Sequence, residues 1–427
     1  MNEFFGTVLQ IIVPLFLLGV LIMVHELGHF GVAKYFKIKV LEFWIFMGPK
    51  LFSWKRKETE YSFRVIPIGG MVRMEGEETT SDDQGSFNNK HPAKRAAVIA
   101  AGPAMNILFA LIVVIIIFAI SGYNMNLVKF SGTDSPAYKA GIRDGDKLLS
   151  VNGIQVFDPA VDYGLFTYVK TTKPIDFVVQ RNETAQPLQF AVTPNTRYLM
   201  GVTFSKDQPT IEVVDANMPA GKAGIKKGDL IKSLNGVEIK TIEQAQDIIA
   251  KNKGAEINVS LVRNGTDVNV KVAPVETPDM NLGIGLNSSS GNPIEVIGSS
   301  VNYCISVARS NFYTIGWLFS GKVSFTELSG PVGMVKTMGD VMTYSPSFWD
   351  NMRALLLTAS FISLCLGVFN LLPFPALDGS KILILLFEIF TKKKLKPERE
   401  AMISLVGLAI LLTFMVGVTV MDIMKFF

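Results

Sequence analysis

The chain has 427 residues, 49% of them hydrophobic and only 18% charged, a balance that excludes a disordered chain and points to membrane segments carrying soluble parts. A net charge of +4 is too small to argue for nucleic acid. Cys304 and Cys365 are the only cysteines, which excludes a disulfide framework and a cysteine zinc site, and histidine is limited to His25, His29 and His91.

The first predicted element, residues 1–33, is a transmembrane helix. Phe4 to Val24 is uncharged apart from its flanks and close to the ~20 apolar residues that cross a bilayer core. It lacks a basic start and a small-residue cleavage site, so it reads as a retained span and not as a signal peptide. It runs directly into His25-Glu26-Leu27-Gly28-His29. On a helix this spacing puts two imidazoles one turn apart on one face, able to share a zinc ion, with a carboxylate beside them to accept a proton from water on the metal. Ionisable groups at membrane depth are costly and usually functional.

Residues 34–93 form a loop that carries twelve basic residues between Lys34 and Arg95 once its last flank is included. Tyr61 to Arg73 within it reads as a hairpin of two short strands. Its exposed edge is suited to holding a substrate segment extended; an ordinary surface hairpin is the alternative. Residues 94–123 form the second transmembrane helix, from the uncharged run Ala96 to Leu127.

A repeat follows. Pro136-Ala137-x-Lys139-Ala140-Gly141-Ile142-x-x-Gly145-Asp146 recurs as Pro219-Ala220-x-Lys222-Ala223-Gly224-Ile225-x-x-Gly228-Asp229, and Ser150-Val151-Asn152-Gly153 as Ser233-Leu234-Asn235-Gly236. Each copy reads as a short helix, a Gly-Asp turn, a strand and an Asn-Gly hairpin turn. This resembles the PDZ domain, which binds extended peptides at a sheet edge; spacers or lids that bind nothing are the other reading. The expected domains are 124–206 and 207–290. Residues 291–350 are read as a surface region, with Val301 to Phe319 an amphipathic helix on the membrane or a packing helix of the insert.

Residues 351–390 hold the third transmembrane segment, uncharged from Ala354 to Leu377 and closing on Asn370-Leu371-Leu372-Pro373-Phe374-Pro375-Ala376-Leu377-Asp378-Gly379. Residues 391–427 supply a second basic loop and the fourth transmembrane helix, Ala401 to Met421. The basic loops belong in the cytoplasm, which puts both termini and the insert on the other side and the His25 motif near the cytoplasmic end of its helix.

A catalytic zinc site usually has three protein ligands and an open position. Asp378 is the candidate third ligand, since it descends toward the second basic loop and so lies at the depth of His29; its two preceding prolines break the helix and open room. His91 is the rival, although its polar surroundings favour a solvated loop residue. Asn370 is placed to bind substrate backbone or to make an interhelical hydrogen bond, and Asn106 to pack between helices.

Together these motifs resemble the site-2 protease family of intramembrane zinc metalloproteases, in its bacterial regulator-of-sigma-E branch. The matching parts are His25-Glu26-x-x-His29, Ala101-Gly102-Pro103-x-x-Asn106, the tandem repeat, Leu328-Ser329-Gly330-Pro331-Val332-Gly333, and Asn370-x-x-Pro373-x-Pro375-x-Leu377-Asp378-Gly379, in family order over almost the whole chain. Two departures are Gly379-Ser380 where Gly-Gly is usual and a bulky Trp44-Ile45-Phe46-Met47. The resemblance implies Zn2+ held by His25, His29 and Asp378, Glu26 as general base, and substrate contacts from Asn370 and from a membrane-reentrant strand pair including Ile66, Ile68, Met71 and Val72. It implies a metalloendopeptidase of the bacterial inner membrane that cuts single-pass proteins, such as a membrane-bound anti-sigma factor or remnant signal peptides, within the bilayer, with the PDZ pair as a size filter. The expected fold is a polytopic α-helical membrane protein with four transmembrane helices, a membrane-associated β-hairpin and two extracytoplasmic PDZ-like α+β domains. The competing functions are a membrane PDZ scaffold with a structural metal site and a zinc-dependent transporter. Glu26 argues against the scaffold, because a structural site needs no base.

Overall fold

The computed structural model of the chain describes residues 2–77, 81–130, 132–182, 186–205, 208–395 and 397–426; Lys396 of the second basic loop lies outside them. Two compact units result, one made of the chain up to Met125, Phe157–Asp162 and Ser288 onward, the other of Asn126–Val156 and Tyr163–Asn287.

The first unit begins with α1 (Asn2–Tyr35), the paired strands β1 (Val40–Arg56) and β2 (Thr59–Met74), and α2 (Pro92–Ser121). Among the described residues, four helical stretches in it are long and apolar enough to cross a membrane: Gly6–Tyr35, Pro92–Ser121, Phe348–Asn370 and Arg399–Met424. α2 starts where Pro92 presets the backbone and His91 Nδ1 accepts the Ala93 N–H at 3.2 Å. His91 is thus a helix cap, and it is not among the residues that gather at the site described below.

The expected short hairpin between Tyr61 and Arg73 is a single strand. β2 runs through this whole stretch and pairs antiparallel with β1, from Arg56 opposite Thr59 to Val40 opposite Met74. Phe43 faces both Tyr61 and Val72, so the ribbon doubles over on itself. Gly69, which suggested a hairpin turn, instead bends the strand, with φ +82°. Phe52, Trp54, Tyr61 and Phe63 stack along one face of the ribbon, with interplanar angles of 10–21°.

The second unit holds β3 (Tyr123–Phe130), α3 (Pro136–Lys139), β4 (Lys147–Val151), β5 (Ile154–Gln155), α4 (Pro159–Tyr168), β6 (Ile175–Gln180) and β7 (Leu188–Val192). It continues with β8 (Asn195–Leu199), β9 (Val202–Phe204), β10 (Ile211–Val214), α5 (Pro219–Lys222), β11 (Leu230–Leu234), β12 (Val237–Glu238), α6 (Ile242–Lys251), β13 (Ile257–Arg263), β14 (Thr266–Val272), β15 (Val275–Asp279) and β16 (Ile284–Ser289). Strands β3 and β16 reach into both units.

The boundaries expected at 206/207 and 290 do not follow the two cores. Leu282 and Ile284 pack with Val128, Phe177 and Val179 of the first core, while Met200 belongs to the second, with Val202 and Phe204 against it. The second copy is inserted within the first. The chain leaves along β8 and returns along β15, which pair antiparallel, and β16 then joins the first sheet beside β3.

The repeat has one physical reason. Asp146 is fully buried, accepts the Arg143 N–H, and takes a two-pronged pair of 2.8 Å bonds from Arg181, whose other contact is the Gly141 carbonyl. Asp229 does the same with the Lys226 N–H, two 2.7 Å bonds from Arg263, and the Gly224 carbonyl beyond it. Asn152 and Asn235 adopt the left-handed backbone of the hairpin turn, and each accepts a neighbouring strand's N–H, from Asp176 and Asn258.

The first unit then resumes with α7 (Pro293–Phe319), α8 (Pro331–Val341), α9 (Phe348–Asn370), α10 (Asp378–Thr391) and α11 (Pro397–Phe426). Neither reading for Val301 to Phe319, a membrane-surface helix or a packing helix of the insert, is met: the helix packs against the long apolar helices of the first unit. Val296 joins Val114 of α2, and Val307 joins Ala110 of α2 and Leu364 of α9. The Leu328–Gly333 motif starts α8, where the buried Asp422 of α11 accepts the N–H groups of Gly330 and Gly333 at 2.9 and 2.8 Å. A carboxylate from the last helix thereby caps a helix it does not belong to.

Arg263 beside Asp229 holds that carboxyl below its ordinary range. A depressed carboxyl adds stability above the unfolded-state pKa, near ~4, and the contribution is lost as pH falls through the lower folded value. Arg263→Met, which strands a buried carboxylate, should destabilise the inserted domain by about 3 kcal/mol. Hydrogen exchange of the full-length protein should show faster opening of β11 and β13 at pH 7 and a weaker response to acid than in the parent protein.

Candidate metal centre and active site

The site is built around three elements. α1 offers His25 and His29 from successive turns, and α10 offers Asp378 from its first residue. α9 ends at Asn370, the Pro373 and Pro375 segment passes without helix, and α10 starts afresh, which brings Asp378 to the imidazoles. His25 Nε2 lies 3.0 Å and His29 Nε2 3.5 Å from Asp378 Oδ2, and the two nitrogens are 3.1 Å apart. The three side chains are 10–16% exposed.

The chemistry of this triangle calls for a cation. His29 Nδ1 lies 2.9 Å from the Val98 carbonyl, so it carries the proton and leaves Nε2 with a lone pair. His25 Nε2 faces it, and Asp378 Oδ2 is buried without a hydrogen-bond donor. With the His25 proton on Nδ1, facing the Asn106 amide, three lone-pair atoms converge here. Tetrahedral zinc with bonds near ~2.05 Å separates its ligand atoms by about 3.3 Å, close to the observed triangle. The fit holds for zinc with an open fourth position.

The helix behind the triangle, α2, shapes it. A Cβ on Gly102 would fall 2.6 Å from His29 Cε1 and 2.8 Å from His25 Nε2, so only glycine leaves room for the rings. Gly28 allows equally close approach, with its missing Cβ directed at the Ala101 carbonyl. Asn106, expected to pack only, lies beside the metal site: its amide is 3.3 Å from His25 Nδ1, and its backbone carbonyl accepts Ser363 Oγ from α9. Its Oδ1 has no partner, and exchanging the two ends of this symmetric-looking amide gives His25 Nδ1–H an acceptor.

Glu26 sits between the histidines in sequence, and its Oε2 accepts the Val72 N–H of β2 at 3.1 Å. A cavity of about 200 Å³ is lined by His25, Glu26, His29, Met71, Val72, Met74, Glu77, Ile99, Asp378 and Lys381. Met71 and Val72 are among the expected substrate contacts; Ile66, Ile68 and Asn370 lie outside the lining. Ile66 is exposed on the ribbon, where it covers Gly48, and Asn370 is the last residue of α9. Lys381 and Glu77, paired at 3.2 Å, were not foreseen. Lys381 lies one turn beyond Asp378 on the same helix face, a spacing readable from the sequence once α10 is known to begin at Asp378.

Comparison with known proteins agrees with this chemistry. Residues 13–414 match the model of Peptidase family M50. The chain is similar to a putative zinc metalloprotease of Clostridium perfringens, 32% identical over 97% of this chain and 98% of that one. It is similar to the zinc metalloprotease RasP of Shouchella clausii, 30% identical over 96% and 97%, and to the regulator of sigma-W protease RasP of Bacillus subtilis, 26% identical over 99% and 100%. Among solved structures, the HtrA3 PDZ domain bound to a phage-derived ligand matches 19% of this chain and 88% of that one at 18% identity, with a TM-score of 0.18. The chain belongs to Peptidase family M50, the site-2 protease family. It is a membrane zinc metalloendopeptidase with zinc as its cofactor.

Gly102→Ala should abolish stoichiometric zinc binding, measured by metal content after purification. Gly31→Ala on α1, where a Cβ meets nothing within 4 Å, should leave it intact. Asn106→Ala should weaken zinc by about 10–100-fold in chelator competition, the range for groups that orient a ligand.

Proposed function

We propose that the protein cuts single-pass membrane proteins within their spanning segment, as a step of regulated intramembrane proteolysis, with His25, His29 and Asp378 holding zinc and Glu26 as general base. The observation that carries the reading is that Glu26 opens on the same cavity as the three lone-pair atoms, at the end of an apolar helix long enough to span a membrane. A structural metal site has no use for that carboxylate, and an enzyme does. The scaffold and transporter readings fall with the chain's membership of a peptidase family.

The chemistry that zinc supplies when bound is Lewis-acid polarisation of the attacking water and of the scissile carbonyl. Glu26 takes the proton of that water as its oxygen bonds to the carbonyl carbon, then passes it to the amide nitrogen as the C–N bond breaks. The Val72 N–H fixes one oxygen of Glu26, leaving the other free for the proton. The β2 stretch through Met71 and Val72 is the surface against which a substrate segment, unwound from its helix, lies extended. Ile66 and Ile68 extend that surface, and Asn370 binds the substrate backbone.

The two repeated domains are PDZ-like, on the strength of their shared Gly-Asp turn, Asn-Gly hairpin and Asp–Arg pair, and they admit substrates by size. The basic loops around Lys34–Lys57 and Lys392–Arg399 set the orientation, with those loops cytoplasmic and the repeats and termini outside. The bacterial inner membrane is the proposed location. A RasP relative carries the name regulator of sigma-W protease. Membrane-bound anti-sigma factors are accordingly the proposed substrates, together with remnant signal peptides.

Glu26→Gln should retain full zinc content and lose cleavage of a co-reconstituted single-pass substrate by about 10²–10⁴-fold. Cleavage by this variant at the parent rate would exclude the mechanism. Asp378→Ala should lose both zinc and activity.

A further inference from the structure

We propose that Lys381 is a further catalytic group, whose ammonium meets the oxygen of the scissile carbonyl as negative charge develops there. The proposal rests on the peptidase reading above. It starts from α10, whose rotation is fixed independently of Lys381. Asp378 faces the imidazoles, Leu385 is buried with Val98 and Ile99 of α2, and Glu388 forms a buried ion pair with Arg95 of α2. Asp378, Leu385 and Glu388 are seven and then three positions apart, so they share one face. Lys381 lies on that same face between Asp378 and Leu385, and its side chain is directed into the cavity it helps to line.

Among the described residues lining that cavity, Lys381 is the single lysine or arginine. The other ionisable side chains there are two histidines and three carboxylates, Glu26, Glu77 and Asp378. Burying an ammonium near a membrane-embedded site is costly, and the Glu77 partner at 3.2 Å lowers that cost. The pair is not sealed in the core: Lys381 is 33% exposed and Glu77 20%. A simple tether could equally be built from apolar side chains. A cation held at the edge of the cavity offers what the reaction needs, a donor already oriented when the carbonyl π electrons move onto oxygen. Lys381 transfers no proton. The water proton goes to Glu26 and then to the leaving amide nitrogen, while Lys381 stabilises the oxyanion until the carbonyl reforms.

The test uses the full-length, zinc-loaded protein in detergent with a single-pass substrate, and compares Lys381→Met, Lys381→Arg and Glu77→Gln. Lys381→Met should lower kcat by about 10²-fold, as expected for one oxyanion donor, with KM within about twofold and zinc content unchanged. Lys381→Arg should recover at least about a tenth of the parent kcat, because the charge is kept. Glu77→Gln, which loosens the cation without removing it, should lower kcat clearly less than Lys381→Met does. A phosphinic peptide, which mimics the tetrahedral oxyanion, should raise the Tm of the parent protein and of Lys381→Arg but not of Lys381→Met. The proposal is overturned if Lys381→Met turns over at the parent rate, if it loses zinc, or if Glu77→Gln is as impaired as Lys381→Met, which would make the pair a tether. Should Lys381→Met fail to fold, an inactive but folded and zinc-loaded Lys381→Arg would also overturn it. A parent protein that does not cut the substrate would instead sink the peptidase mechanism on which the proposal stands.

Discussion

Arg95, Val98, Gly102 and Asn106 recur every three or four residues along α2 and so share one face of it. Between them they reach three other helices, α1, α9 and α10. Arg95 pairs with Glu388 of α10, and the Val98 carbonyl receives His29 Nδ1. Gly102 admits both imidazoles, and Asn106 reaches His25 and, through its backbone, Ser363 of α9. None of the three candidate ligands lies on α2, yet the helix sets the depth and rotation of the elements that bring them. The two halves of the site are far apart in sequence, and this one face is where their registers are compared.

Such an arrangement explains why burial of polar groups is tolerated here. A lone charge or amide among apolar helices is expensive, and in these positions each has a partner on another helix. The cost of breaking one pair is then felt at the metal triangle, because a small shift of α2 or α10 moves ligand atoms that must hold a separation of about 3.3 Å.

How much of this could be read beforehand depended on whether the signal was local. The His25–His29 pair is a helical spacing and could be read directly. Asp378 could be reached because topology and the Pro373–Pro375 break placed it at the right depth, although nothing in its neighbours named a partner. Asn106 reads as packing, since an amide in an apolar run looks the same whether it meets a helix or a histidine. The ribbon is hidden because Gly69-Gly70 has the composition of a turn, while the pairing of β2 with β1 depends on residues up to 34 positions away, as Val40 opposite Met74 shows. The repeat was visible, but its key arginines were not: Arg181 and Arg263 lie 82 positions apart, while Asp146 and Asp229 lie 83 apart, so a gapless alignment separates them. The shared Arg-Asn at 181–182 and 263–264 would have revealed them once one gap was allowed. The nesting of one domain within the other was hidden for a related reason, since Leu282 and Ile284 carry no mark of the core they join.

The contact between Gly28 and the Ala101 carbonyl has a consequence for traffic. With no side chain between the backbones, the seam joining α1 to α2 at the level of the histidines is shut to anything as wide as a helix. On the proposed reading, a membrane-embedded guest would reach Glu26 by another flank, such as the one where β2 borders α1. The doorway and the strand proposed to grip the visitor would then be one and the same wall.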